Sequence, residues 1–148
     1  MGSAVAAYNR RMDWRTWYDK LAKPTWTPSP PTIGLIWSFL YPIIFVTYGF
    51  VFYKAVRGHV SWHVALPFVI NLAANLTFTT FLFRLRNLPL ALADILIVLG
   101  TIIWTILAVW PHYRLIALGQ LPYLAWVSIA TVLQASITAS NRPTPPAA

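Results

Sequence analysis

The chain has 148 residues, of which 58% are hydrophobic and only 9% charged, and eleven Lys/Arg against three Asp/Glu leave a net charge of +8. With a mean hydropathy of +0.61, this composition excludes an ordinary soluble domain, in which about a quarter of the residues are charged. The absence of cysteine excludes disulfides, iron–sulfur clusters and thiolate metal sites, and basic residues scattered between apolar runs, with no cluster able to track a phosphate backbone, argue against a nucleic-acid partner.

The first seven residues are small and weakly apolar, too short for a signal sequence or a membrane span. Beyond them Trp14, Trp17, Tyr18 and Leu21 recur at i, i+3, i+4 and i+7, with Arg11, Arg15, Asp19 and Lys20 on the other faces. That pattern predicts an amphipathic helix suited to the membrane interface, ended by Pro24. The next stretch, "KPTWTPSPP", holds too many prolines to stay helical and reads as an extended cap over one end of a helical bundle. Anchoring at the bilayer interface is the alternative account of its aromatics. The chain therefore divides into an N-terminal segment and lid over 1–31, the helical bundle over 32–141 and a proline-rich tail over 142–148.

Four apolar runs are long enough to cross a bilayer, which takes about 20 helical residues: Ile33 to Tyr53, Val64 to Phe83, Leu88 to Trp110 and Leu115 to Ile137. None alternates as a barrel strand would, and the separating loops are short, so the expected fold is all-α, an antiparallel membrane-spanning helical bundle. Loop charges orient it. Arg10, Arg11, Arg15, Lys20, Lys23, Arg84, Arg86 and Arg142 share one side, against Lys54, Arg57 and Arg114 on the other. An excess of Lys/Arg marks the cytoplasmic side, so both termini are expected there.

Polar groups inside the spans are few and costly, hence informative. Asp94 is the one ionisable acid or base; Asn71 and Asn75 lie one turn apart on a single face of the second span. Counted from the turn at Arg84 to Asn87, Asn75 and Asp94 both sit about 12 to 14 Å deep at about 1.5 Å per residue, which makes a hydrogen bond between them geometrically available. Such a pair either glues two helices or floors a ligand cavity. Trp37 and Tyr41 on the first span, Phe78 on the second, and Trp126 with Ala130 on the fourth fall at the same level. Each alone reads as core packing or lipid contact; together they would line an apolar, aromatic pocket suited to a large flat hydrophobic ligand.

His59, His63 and His112 fall at the opposite ends of the spans, away from that pocket, so no metal or axial haem ligand is expected; if the ligand is a tetrapyrrole, its free-base form is easier to accommodate than a haem held by histidine. No Ser/His/Asp set, paired carboxylates or glycine-rich phosphate loop is present. No cofactor is required, and any chemistry would come from the ligand or from tryptophan acting as an electron partner.

The segments "WYDKLAKPTWTP", "IGLIWSFLY", "NLAANLTFTTFLFRLRN", "ALADILIVLG" and "LPYLAWVSIATVLQ" resemble, in order and spacing, the tryptophan-rich sensory protein and translocator protein family, the peripheral-type benzodiazepine receptors. The resemblance runs from about Trp17 to Asn141 and includes the eleven-residue step from Trp26 to Trp37. It implies a helical membrane protein, commonly a homodimer, that binds porphyrins and in some members sterols and benzodiazepine-type ligands, with roles in sensing, transport or disposal. By position its pocket would be lined by Trp26, Ile33, Gly34, Trp37, Tyr41, Asn75, Phe78, Ala93, Asp94, Ile97, Trp126, Ala130 and Leu133. In some bacterial relatives it also implies light-dependent porphyrin breakdown, through tryptophans matching Trp37 and Trp126. The chain departs from the family pattern in showing four spans where five are usual. Phe78 and Leu90 stand where tryptophan is common, and Gln134 stands for a frequent asparagine. A structural membrane subunit without ligand binding is the reading from a different functional class.

Overall fold

The computed structural model describes residues 15–142 together with Gly2 and Ala4. Trp14 and Arg11 of the expected amphipathic helix, Arg10, and the tail from residue 143 onward lie outside the described residues. Among the described residues four helical segments are long and apolar enough to cross a membrane: Pro30–Val56, Trp62–Arg84, Leu88–Val109 and Arg114–Ser140. Each contains the run expected from hydropathy, apart from one residue at the end of the third. We label the helices α1 (Pro30–Val56), α2 (Trp62–Thr79), α3 (Leu88–Val109), α4 (Arg114–Gly119) and α5 (Leu121–Ser140), with a π-helical turn, Thr80–Arg84, continuing α2.

Polar residues fix where three of the helices start. The Ser29 hydroxyl accepts from the Thr32 N–H, Ser61 from the His63 N–H and Asn87 from the Leu90 N–H, satisfying amides that have no partner inside the helix. Pro30 and Pro31 therefore belong to α1 and not to an extended lid: in the first turn the missing N–H costs nothing and the fixed φ favours the helix. The last span breaks at Gln120 between α4 and α5, where Pro122 supplies no amide.

α1 buries Leu40, Ile44, Tyr48, Val51 and Ala55, a stripe recurring every three or four residues, and exposes Phe39, Phe45 and Val46 to the surroundings. The densest packing joins α2 to α3 and α3 to α5, where Ala65, Ala74 and Ala91 let the backbones approach. Phe68, Ile102, Val109 and Tyr48 fill the half of the bundle away from the chain termini. The half nearer the termini carries a second, smaller core of Leu82, Leu88, Ala91, Leu133 and Ile137. We call that end, which holds Arg15, Lys20, Lys23, Arg84, Arg86 and Arg142, the basic end.

Residues 15–19 are helical, and the apolar face of this segment is turned onto the bundle. Trp17 and Leu21 pack on the smaller core, and Tyr18 is buried edge-on against Phe83 with ring centroids 5.8 Å apart. The Lys23 ammonium donates to the carbonyls of Tyr18 (2.7 Å), Leu21 (3.2 Å) and Asp19 (3.3 Å), closing the end of the short helix. Asn141, beyond α5, grips the same segment. Its Oδ1 accepts from the Ala22 N–H at 3.0 Å, and its Nδ2 donates to the Ala22 carbonyl at 2.9 Å.

Candidate functional site

In the basic half the helices leave a cavity of about 380 Å³. Its position follows from helical spacing. α1 contributes Pro30, Ile33, Gly34, Trp37 and Tyr41, and α5 contributes Trp126, Ala130, Leu133 and Ile137, each series one turn apart along a single face; Val127 and Gln134 flank the second. α2 and the π turn supply Asn75, Phe78, Thr79, Leu82 and Phe83, α3 supplies Ile95 and Val98, and Tyr18 covers the outer end. Leu82 continues the Asn75–Phe78 series at ordinary helical spacing, and Phe83 joins it within the wider π turn.

The wall is mostly aromatic and aliphatic. Trp37 stacks on Tyr41 at 5.1 Å and meets Tyr123 edge-on at 6.1 Å. Trp126 is buried against the cavity, and its indole N–H has no hydrogen-bond partner among the described residues. Burial, reinforced by the negative charge of Asp19, holds the Tyr18 hydroxyl above its ordinary range and keeps it neutral.

Beneath the cavity lies a buried polar network. The Asn75 Nδ2 donates to the Tyr123 hydroxyl at 2.5 Å, and that hydroxyl donates to Asn71 Oδ1 at 3.2 Å. The Tyr48 hydroxyl donates to the same oxygen at 2.5 Å, while Asn71 Nδ2 donates to the Val98 carbonyl (3.1 Å) and Thr101 Oγ1 (3.0 Å). Asn71 on α2 thus joins α1, α3 and α5 through one carboxamide, satisfying polar groups that lipid cannot.

Nine of the thirteen residues expected at the site line this cavity: Ile33, Gly34, Trp37, Tyr41, Asn75, Phe78, Trp126, Ala130 and Leu133. The expected Asn75–Asp94 hydrogen bond does not form. Asn75 faces Tyr123, and Asp94, buried on the α2-facing side of α3, accepts at Oδ1 from the Thr77 hydroxyl at 3.0 Å, with Oδ2 lacking a partner among the described residues. Asn75 and Thr77 are two residues apart on α2, a step that turns their side chains about 200° from each other, so Thr77 meets Asp94 while Asn75 meets Tyr123. Ala93 and Ile97 lie on the outward, exposed face of α3. Trp26 is 49% exposed and does not line the cavity. It occupies a turn closed by the Thr27 N–H and hydroxyl, both donating to the Pro24 carbonyl. The N-terminal segment contributes Tyr18 instead.

Some wall residues escaped the sequence reading although their spacing pointed to them. Carrying the Trp37–Gly34 series back one turn gives Pro30, and carrying Trp126–Ala130–Leu133 forward gives Ile137. Phe83 and Tyr18 had no such signal, since the first depends on the π turn and the second on docking of a separate segment. His59, His63 and His112 are exposed at the other end, and no cluster of metal-ligating side chains occurs among the described residues.

A model of the TspO/MBR family matches residues 1–139, nearly the whole chain and every residue of the cavity wall. The chain belongs to the TspO/MBR family. It is an integral membrane protein with four helical segments of spanning length among the described residues. Similar proteins include the tryptophan-rich protein TspO of Bacillus cereus, 35% identical over 134 residues that cover 86% of this chain and 82% of the relative. The uncharacterized membrane protein YtaB of Bacillus subtilis is 34% identical, covering 84% of this chain and 80% of the relative. The human translocator protein is 31% identical, covering 84% and 75%. As a TspO/MBR member, the chain places the cavity within its family-matched region rather than in any segment peculiar to it.

Proposed function

We propose that this TspO/MBR protein binds a porphyrin or similar flat hydrophobe in the cavity at its basic end, for sensing, transport or disposal of that ligand. The observation that carries the reading is the wall itself. Trp37, Tyr41, Phe78 and Trp126 surround a space of drug-ligand size with few polar groups, the make-up of a site that stacks and desolvates an aromatic guest. In this reading the basic end faces the cytoplasm, as the excess of Lys/Arg there favours. Titration of the detergent-solubilised protein with protoporphyrin should give saturable quenching of tryptophan fluorescence, with affinity falling about tenfold in Trp37→Ala. Quenching that never saturates, or an unchanged affinity in that variant, would contradict it. A second reading, light-dependent breakdown of the bound porphyrin, is favoured by one observation: Trp37 and Trp126, the indoles able to exchange electrons with an excited guest, both stand on the wall. Loss of the porphyrin absorption band under light, abolished in the Trp37→Phe/Trp126→Phe variant, would support it.

A further inference from the structure

The end of the bundle opposite the cavity has a charge pattern of its own. Lys54 lies in the last turn of α1, Arg57 caps that helix and Arg114 opens α4. The acidic residues among those described, Asp19 and Asp94, both belong to the basic half, so none of these three cations has a carboxylate partner there. Each rests on aromatic rings instead. The Lys54 ammonium lies 5.4 Å from the Phe50 ring centroid and 5.9 Å from that of Tyr113. The Arg57 guanidinium lies 5.7 Å from the Tyr53 ring and that of Arg114 5.4 Å from the Trp110 ring. A ring face attracts a cation but leaves its net charge in place.

Phe50 and Tyr113 meet edge-on at 5.0 Å. Their contact pins the end of α1 to the start of α4 and sets Lys54 over the residue that precedes Arg114. Lys54 is half-buried, and its ammonium donates to His59 Nδ1 at 3.5 Å, the outer limit of a hydrogen bond. A positive charge is thus partly stripped of water with no anion to offset it. The neighbouring side chains decide which anion fits. Leu115, next to Arg114, is 83% exposed, and Val56, beside Arg57, is exposed as well. Trp62 and Trp110 stand exposed at the same end, where such rings mark the boundary between membrane and water. Cations interleaved with bare apolar groups at that boundary suit a phosphate joined to acyl chains; a free ion would leave the apolar partners uncovered.

We propose that this end of the protein docks an anionic phospholipid, with the headgroup phosphate between Lys54 and Arg114 and an acyl chain against Leu115. The Arg114 guanidinium can give two parallel N–H donors to the phosphate, and Lys54 adds a point charge. None of these residues lines the cavity, so the lipid site is separate from it.

Native mass spectrometry of the detergent-solubilised protein, titrated with phosphatidylglycerol or phosphatidylcholine of the same acyl chains, tests this. The wild type should hold one phosphatidylglycerol at least about fivefold more tightly than phosphatidylcholine. In Lys54→Gln/Arg114→Gln that preference should shrink to within about twofold, with phosphatidylcholine binding and the unfolding midpoint retained. Lys20→Gln/Arg84→Gln, at the basic end, should keep it. Arg114→Gln alone, at an exposed position, should weaken phosphatidylglycerol about threefold and supplies the test if the double variant does not fold. An undiminished preference in the Lys54 and Arg114 variants, or an equal loss in the two double variants, would overturn the site. Displacement of the lipid by millimolar inorganic phosphate would overturn the phospholipid as its occupant.

Discussion

Asn71 shows how much one side chain can hold together when water is not available to compete. It is 1% exposed, accepts from Tyr48 and Tyr123, and donates to Val98 and Thr101, so all four spans meet at one carboxamide. Replacing it removes an acceptor from two tyrosine hydroxyls that stay buried, and the penalty is the cost of leaving them unpaired rather than the net worth of the bonds. Asn71→Ala should therefore lower stability in detergent by about 2–4 kcal/mol, read from the thermal or denaturant unfolding midpoint, whereas an unchanged midpoint would show that the network carries no weight. Sequence alone placed Asn71 and Asn75 on one face of α2, and both indeed bond Tyr123. It misassigned the partner of Asn75 because counting from a turn fixes how deep a residue lies and says nothing of the direction it faces. Asp94 met Thr77, which is about as deep as Asn75 but on the side of α2 that α3 approaches.

The elements follow from local rules, and where reading them failed the cause is also local. Hydropathy located each span, while the caps at Ser29, Ser61 and Asn87 set where α1, α2 and α3 begin. The prolines of the lid stretch were ambiguous because the same residue that ends a helix from within starts one from its first turn. The π turn at Thr80–Arg84 has no signature in the sequence, and just beyond it Arg86 adopts φ of 50° in the turn to α3. Docking of the N-terminal segment was visible only as a periodicity. Its anchor, the two-way clamp of Asn141 on Ala22, joins positions 119 residues apart, a separation that no local pattern spans. Because the clamp lies at an exposed end, Asn141→Ala should loosen this element alone. Amide hydrogen exchange over residues 15–29 should quicken about tenfold, with global stability changed by less than about 1 kcal/mol. Unchanged exchange in the segment would show that the apolar contacts of Trp17, Tyr18 and Leu21 hold it without help.

At the scale of the whole molecule, one half of the bundle is filled and the other is left hollow. Away from the termini Phe68, Ile102, Val109 and Tyr48 pack the interior, and the Asn71 network seals it. Toward the basic end the small residues Gly34 and Ala130 face the wall aromatics across open space, and Tyr18 closes over them. The family resemblance pointed to this pocket and the helical series on α1 and α5 agree with it, since both describe the same inward faces. The central claim is that this space receives a ligand. Gly34 tests it most directly: it lines the cavity and a Cβ built there meets no atom within 4 Å, so a side chain added at this wall position starts in open space, and replacing a mid-helix glycine favours the helix by up to about 1 kcal/mol. The decisive measurement is a protoporphyrin titration of Gly34→Leu beside the wild type, with unfolding midpoints recorded for both. We predict a midpoint equal to or above that of the wild type together with binding weakened at least about tenfold. Undiminished affinity in the folded variant would contradict the assignment of the cavity as the ligand site.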